Sequence, residues 1–343
     1  MEKLGMNLLK IKLMTNMFKK IFVLFISIVL LLGCNKEVKK FESEKFLFGT
    51  YIRITVYDSD EKLARESMEK AFEEIARIDQ KFNSKVPESV IGRLNSSENK
   101  NVKLDEEGKY LFNEVNKMYE LSNKKYDITI EPLLKTWGFG EVAKLSVPTL
   151  EEIKKAQEVI DFSKVKIEGD NLIIESPVKS IDTGSFLKGY AVQKAKEKLE
   201  EKGIKSAFIT SISSIDVIGT KPENKPWRIG VQNPQVPDQI LGVVELNNES
   251  MGVSGDYQTY VEIDGERYHH ILDKTTGYPI VDKKMVLVIC DNAFIADMYS
   301  TAFFTMPIEK IISYAEKDQK MKVLVVDKDM RIFKSKNLEF FEK

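Results

Sequence analysis

The feature that most limits what this chain can fold into is how its strands are joined. Val165 to Ser176 turns on Gly169-Asp170-Asn171, and Tyr257 to Ile271 turns on Asp264-Gly265. Such short turns join antiparallel strands, because a parallel pair needs a crossover of a dozen or more residues. Phe46 to Tyr57 sets Ile52, Ile54 and Val56 against Arg53 and Thr55, as a half-buried strand does. Ser206 to Ile218, Trp227 to Gln232 and Leu241 to Leu246 read as further strands. Helices arrive in blocks. Glu61 to Phe82 and Asp105 to Leu121 carry apolar stripes. Thr149 and Glu152 form a capping box opening a helix to Ile160, and Gly203 closes a helix from Phe186 to Lys202. Asn292 to Lys334 reads as helix-helix-strand-strand. The pattern implies an α+β fold, with a mainly antiparallel sheet and packed helices in one domain that has room for two subdomains.

The first residues belong outside that domain. Phe18-Lys19-Lys20 precedes an apolar run from Ile21 to Leu32, broken only by Ser27 and ending in Leu31-Leu32-Gly33-Cys34. The run is too short to span a bilayer and reads as a signal-peptide core. Its end resembles a bacterial lipobox, in which the cysteine is lipidated. The expected organisation is a lipoprotein signal peptide over 1–33, lipidated Cys34 with a charged tether over 34–45, and a domain over 46–343. An ordinary signal peptide with an incidental cysteine is the plainer alternative, and Met17 is a second candidate start. Removing 1–33 moves the net charge from −1 to −5. A mildly acidic body argues against nucleic acid as a partner. Cys290 is the only other cysteine and sits beside an apolar run, so it reads as a buried small residue.

Three segments carry chemistry-bearing residues. His270-Ile271-Leu272-Asp273-Lys274-Thr275-Thr276-Gly277-Tyr278-Pro279 reads as a strand running into a Gly/Pro turn. Neighbours on a strand face opposite ways, so only one of His269 and His270 enters a given site. Ala296-Asp297-Met298-Tyr299-Ser300-Thr301 reads as helix, with Asp297 and Thr301 on one face. That pair suits part of an oxygen shell for Mg²⁺, and equally a buried hydrogen-bonded pair. Asp182-Thr183-Gly184-Ser185-Phe186-Leu187-Lys188-Gly189-Tyr190-Ala191 opens a helix, where backbone N–H groups favour an anion. Lys188 there is a cation against the helix dipole, which a bound pyrophosphate or plain solvation would explain. Gly138-Phe139-Gly140-Glu141-Val142-Ala143 matches a dinucleotide fingerprint but follows no buried strand, and Pro148 forbids a long helix after it.

In order and separation these segments resemble the ApbE family of flavin transferases. Tyr126-Asp127-Ile128-Thr129-Ile130-Glu131-Pro132-Leu133, Trp137-Gly138-Phe139-Gly140, Pro226-Trp227-Arg228-Ile229-Gly230 and Ser254-Gly255-Asp256-Tyr257 resemble further family blocks, and Phe48-Gly49-Thr50 takes the place of a Met-Gly-Thr. The resemblance covers roughly Phe46 to Met306. It implies a Mg²⁺-dependent FAD:protein FMN transferase, moving FMN from FAD to a Thr or Ser hydroxyl of a partner and releasing AMP. It assigns His270 as catalytic base, with Phe48, Lys125, Tyr126, Asp127, Asp182, Lys188 and His270 against FAD. Asp297, Thr301 and Ser185 become the metal ligands. The implied partners are exported flavoproteins such as subunits of respiratory flavin complexes, and the implied place is outside the cytoplasm on a bacterial membrane. An FAD pyrophosphatase and a non-catalytic FAD-binding lipoprotein are the alternatives. Three positions depart from the family: Ile212-Ser213 replaces a Gly-Gly pair, Lys274-Thr275 replaces Pro-Arg, and Lys85 stands where an aromatic ring is common.

Overall fold

The strand nearest the N-terminus lies where the sequence reads as tether. The structure, a computed structural model, describes residues 37–140, 144 and 146–343, with Met17 alone from the leading segment. The signal peptide and Cys34 lie outside the described residues. β1 (Lys39–Leu47) and β2 (Thr50–Asp58) flank a two-residue turn, Phe48-Gly49, with φ of 54° and 70°. Both values suit the hairpin turn whose twist matches paired strands. The charges that disguise β1 are its cross-strand contacts: Glu42 accepts from the Thr55 hydroxyl at 3.0 Å, and Glu44 pairs with Arg53 at 2.8 Å. Phe41 alone is fully buried, so no apolar alternation is legible.

Next come α1 (Glu61–Phe82), α2 (Val90–Ser96), β3 (Asn101–Lys103), α3 (Glu106–Leu121), α4 (Glu131–Thr136), α5 (Leu150–Gln157), β4 (Val165–Glu168) and β5 (Asn171–Ile174). Asp60 caps α1 by accepting from Leu63 N, and Asp105 caps α3 by accepting from Gly108 N. Thr149 and Glu152 make both bonds of the capping box on α5, which ends at Gln157 rather than Ile160. The chain continues through α6 (Leu187–Glu201), β6 (Ala207–Thr210), β7 (Ser214–Ile218), β8 (Trp227–Gln232), β9 (Ile240–Leu246) and β10 (Ser250–Gly255). The expected single strand from Ser206 to Ile218 is therefore two, folded back at residues 211–213. Last are β11 (Tyr260–Ile263), β12 (Glu266–His269), β13 (Lys283–Cys290), α7 (Ala293–Phe304), α8 (Ile308–Lys317), β14 (Lys322–Asp327), β15 (Ile332–Lys334) and β16 (Phe341–Glu342).

The main sheet has the order β1-β2-β6-β7-β10-β13-β14-β15, antiparallel from β2 onward. The antiparallel α+β expectation holds, and residues 40–343 form one unit. Ile52, Ile54 and Val56 of β2 join α1, α3, α6 and α7 in one core, while Met285, Leu287 and Ile289 of β13 join Trp227 and Val244 in another. Burial on both faces makes β13 a continuous apolar run. Cys290 at its end is 5% exposed and unpaired.

Small residues bring the site elements together. A side chain at Gly252 of β10 would collide with the Ala296 carbonyl of α7, and one at Gly189 of α6 would meet the Ala293 carbonyl at 2.5 Å. α7 therefore lies against both α6 and the sheet. β10 reads poorly as a strand because Ser-Met-Gly-Val-Ser-Gly carries little apolar bulk.

Candidate active site

The close crossing of α6 and α7 sets Asp297 beside the start of α6. Asp297 is 4% exposed, and its Oδ2 accepts from Gly189 N at 2.9 Å. Burial pushes its carboxyl above the usual range, against the pull of Lys188 and of the Ser214 and Ser213 hydroxyls. Among the described residues no lysine or arginine comes within ion-pair distance of it. A buried carboxylate without a paired cation is costly.

Asp297 faces a cavity of about 1220 Å³ that is also lined by Thr301, Ser185, Lys188, Asp182 and His270. The three segments singled out in the sequence thus converge. Thr301 does not pair with Asp297. Its hydroxyl lies 3.1 Å from that of Ser254, which is 2.8 Å from Ser300 Oγ. Ser185 Oγ lies 2.8 Å from the Tyr126 hydroxyl. Burial raises the Tyr126 phenol, with a smaller opposing effect from Ser185, so it stays protonated.

The oxygens offered by Asp297, Thr301 and Ser185 fit Mg²⁺ chemically. No group of three or more His, Cys, Asp or Glu side chains with metal-ligand proximity occurs among the described residues. A metal here would rest on one carboxylate, hydroxyls and ligand phosphate, a shell that Mg²⁺ accepts.

Asp182 lies in the segment that leads into α6. Gly184 N donates to its Oδ2 at 2.9 Å and the Ser84 hydroxyl to its Oδ1 at 3.4 Å. Burial raises its carboxyl, while Gly184 N–H and the charges of Lys85 and Lys188 lower it. Lys188 Nζ donates to Gly184 O at 3.2 Å, folded over its own helix start and close to the cavity. Phe48 reaches the cavity from the first hairpin turn, held by its N–H to Asp79 at 3.1 Å.

The two histidines separate as expected, although the strand ends at His269 and His270 follows it. His269 is 6% exposed, with Nε2 donating to Ile280 O at 2.8 Å and Nδ1 accepting from Ile271 N at 3.2 Å. It is a satisfied structural group. His270 lines the cavity, with Nδ1 at 3.1 Å from Thr259 O. A carbonyl only accepts, so Nδ1 carries the proton and Nε2 keeps its lone pair. Desolvation pushes the His270 pKa down to about 4, the Thr259 carbonyl opposing and Lys188 and Lys85 assisting.

Lys125 and Tyr126 line the cavity as expected, and Lys125 lies 3.9 Å from Asp273. Asp127 belongs with them. It borders the cavity, but its carboxylate accepts from Thr129 N at 2.9 Å, Thr129 Oγ1 at 2.6 Å, Phe162 N at 3.2 Å and Lys274 Nζ at 2.6 Å. Its carboxylate is a structural clamp, with its acceptor sites filled by these four donors. Lys274, one of the departures, is the clamp's other half and lies 5.1 Å from the Tyr119 ring centre. Lys274→Met is expected to lower stability by about 3 kcal/mol, the lower end for stranding one partner of a buried pair. Thermal unfolding of the purified variant checks this.

Sequence reasoning also missed Thr259, Ser84 and Asp79. Thr259 was the legible one, because a turn centred on Asp264-Gly265 sets residue 270 opposite 259. Ser84 and Asp79 have no such signal, since only the tertiary fold brings them to Asp182 and Phe48.

The ApbE family model matches residues 48–325, most of the chain and all of these site residues. The chain belongs to the ApbE family. It is 26% identical to the FAD:protein FMN transferase of Vibrio cholerae over 311 residues, covering 88% of this chain and 92% of that one. It is 28% identical to the enzyme of the same name from Haemophilus influenzae over 313 residues, covering 87% and 90%. The ApbE protein of Thermotoga maritima superposes with a TM-score of 0.79 at 31% identity, covering 87% of this chain and 97% of that one. Against that family background, Ile212 and Ser213 line the cavity on the β6–β7 loop, with Ile212 69% exposed, and Lys85 lines it where an aromatic ring is common.

Proposed function

We propose that this ApbE protein transfers FMN from FAD to a Thr or Ser hydroxyl of a partner protein and releases AMP. The observation that carries the reading is one cavity holding an unpaired buried carboxylate, two hydroxyls, a lysine and a neutral histidine. At about 1220 Å³ it exceeds the about 300–1,000 Å³ of ordinary small-molecule sites, as a dinucleotide requires.

The acceptor oxygen attacks the phosphorus that bears the riboflavin. A new P–O bond forms, the bond from that phosphorus to the bridging oxygen breaks, and AMP departs with that oxygen. AMP is a good leaving group, since a phosphate monoester has its second pKa at about 6. The poor partner is the attacking hydroxyl, whose proton passes to Nε2 of His270. Lys188 places positive charge against the diphosphate as charge shifts onto the leaving group. Asp297, Thr301 and Ser185 would hold Mg²⁺, with Tyr126 orienting Ser185. Bound there, Mg²⁺ would neutralise diphosphate charge and polarise its P–O bonds.

Incubating the protein with FAD, Mg²⁺ and exported flavoprotein domains tests the reading. The expected result is an FMN mass adduct on Thr or Ser with one AMP released per adduct. AMP without adduct would make the protein a pyrophosphatase, and FAD binding without AMP would make it a binder.

The membrane anchor is a proposal of its own, resting on the run that ends in Leu31-Leu32-Gly33-Cys34. Cys34→Ala is expected to shift the protein from membrane to soluble fractions with AMP release unchanged. Tight membrane association of that variant would count against lipidation. An exported enzyme with this chemistry fits acceptors that work outside the cytoplasm, such as flavin-bearing respiratory subunits.

A further inference from the structure

Among the described residues, the hairpin that carries the base to the cavity has no further strand on either edge. Thr259, and Tyr260 and Val261 of β11, line the cavity, whereas no residue of β12 does. β11 is thus the strand of the pair that borders the cavity, at the end of the hairpin where His270, Ile271 and Leu272 also line it. The register sets Ile263 opposite Glu266, Glu262 opposite Arg267, Val261 opposite Tyr268 and Tyr260 opposite His269. The residues flanking a two-residue turn bond each other, and bonded pairs alternate from there. Val261 and Ile263 therefore bond to β12, while Tyr260 and Glu262 aim N–H and C=O groups outward. Among the described residues the sheet has these two strands alone, and those outward groups have no backbone partner.

We infer that this edge docks the acceptor, as an extended segment that adds a third strand beside β11 and carries its Thr or Ser to His270. The inference rests on the FMN-transfer reading. Two observations favour an extended chain over other occupants. The open groups recur every second residue, and only another extended backbone offers complementary groups at that spacing. A strand added there would lie about 4.8 Å from β11, with its end beside Thr259 and Tyr260 at the cavity. The base is also tied to the start of the edge, since both the backbone N–H and Nδ1 of His270 meet the Thr259 carbonyl at 3.1 Å. An added strand would thus be registered on the same backbone that sets the base.

The test uses the full protein with an exported flavoprotein domain as acceptor. Glu262→Pro removes one outward N–H without touching a bond to β12. Its acceptor KM is expected to rise about tenfold or more, the loss of one or two net hydrogen bonds, with FAD binding unchanged. Glu262→Gln controls for the charge and should keep the original KM. The unaltered protein supplies a second measurement, needed where the proline variant folds poorly. Adding acceptor should slow amide exchange at Tyr260 and Glu262, and leave Val261 and Ile263, already bonded to β12, much less affected. An unchanged acceptor KM in folded Glu262→Pro, or protection that falls elsewhere and spares β11, overturns the inference. If the unaltered protein releases AMP from FAD but labels no acceptor, the transferase reading itself fails, and the docking edge with it.

Discussion

Asp297→Ala is expected to reduce AMP release from FAD by about 10³-fold, which corresponds to about 4 kcal/mol of barrier. The carboxylate is buried, lacks a cationic partner among the described residues, and faces the cavity with Thr301 and Ser185. Removing it leaves hydroxyls that do not hold Mg²⁺ by themselves, so excess Mg²⁺ should not restore the rate. Part of the change is structural, because Gly189 N loses its acceptor. Asp297→Asn separates the two effects. The amide oxygen can still accept from Gly189, so the melting temperature should stay near the unaltered value while the rate remains low. A variant that loses stability but keeps turnover would make Asp297 a helix-crossing residue and no ligand. The alternative of a structural Asp297–Thr301 pair already fails on geometry, since Thr301 bonds Ser254 instead.

His270→Asn should bind FAD normally and transfer FMN roughly 10²–10⁴-fold more slowly, the usual range for loss of a general base. The pH dependence follows from the direction of its shift. Burial lowers the ring's pKa to about 4, so the neutral, proton-accepting form prevails above that value and is lost as pH falls through it. The part of the kcat/KM profile that belongs to His270 should be flat from neutral pH down to about 5 and fall below that. Asp297 loses its charge in the same direction, its carboxyl being raised by burial. An acid limb that persists in His270→Asn therefore belongs to the buried carboxyls of the cavity, Asp297 and Asp182. The neighbouring variant should behave differently. His269 is buried with both ring nitrogens bonded, so His269→Asn should cost about 1–3 kcal/mol of stability while leaving the transfer rate of the folded protein nearly unchanged. Full turnover by folded His270→Asn at saturating acceptor would remove that histidine from the mechanism.

Both predictions concern residues legible in the sequence, and the reason is local. Asp297 and Thr301 share a face because a helix repeats every 3.6 residues, and His269 and His270 diverge because extended backbone alternates. The long helices and short-turned hairpins were readable for the same reason: periodicity and turn chemistry are written within each element. Resemblance to the ApbE family added roles that spacing alone left open.

The rest depended on partners distant in sequence. β1 looked like a charged tether because its charges meet Arg53 and Thr55 across the hairpin. β10 was obscured because a central strand under a close helix needs glycine where the pattern asks for bulk. Asp127 carried a family motif yet serves as a clamp, since Phe162 and Lys274 reach its carboxylate from 35 and 147 residues away. The sequence by itself determined which side chains could do chemistry and on which face of their own helix or strand they stand. The tertiary structure decided which of them meet, because hydrogen-bond capacity is finite and only the packed fold says what has already filled it.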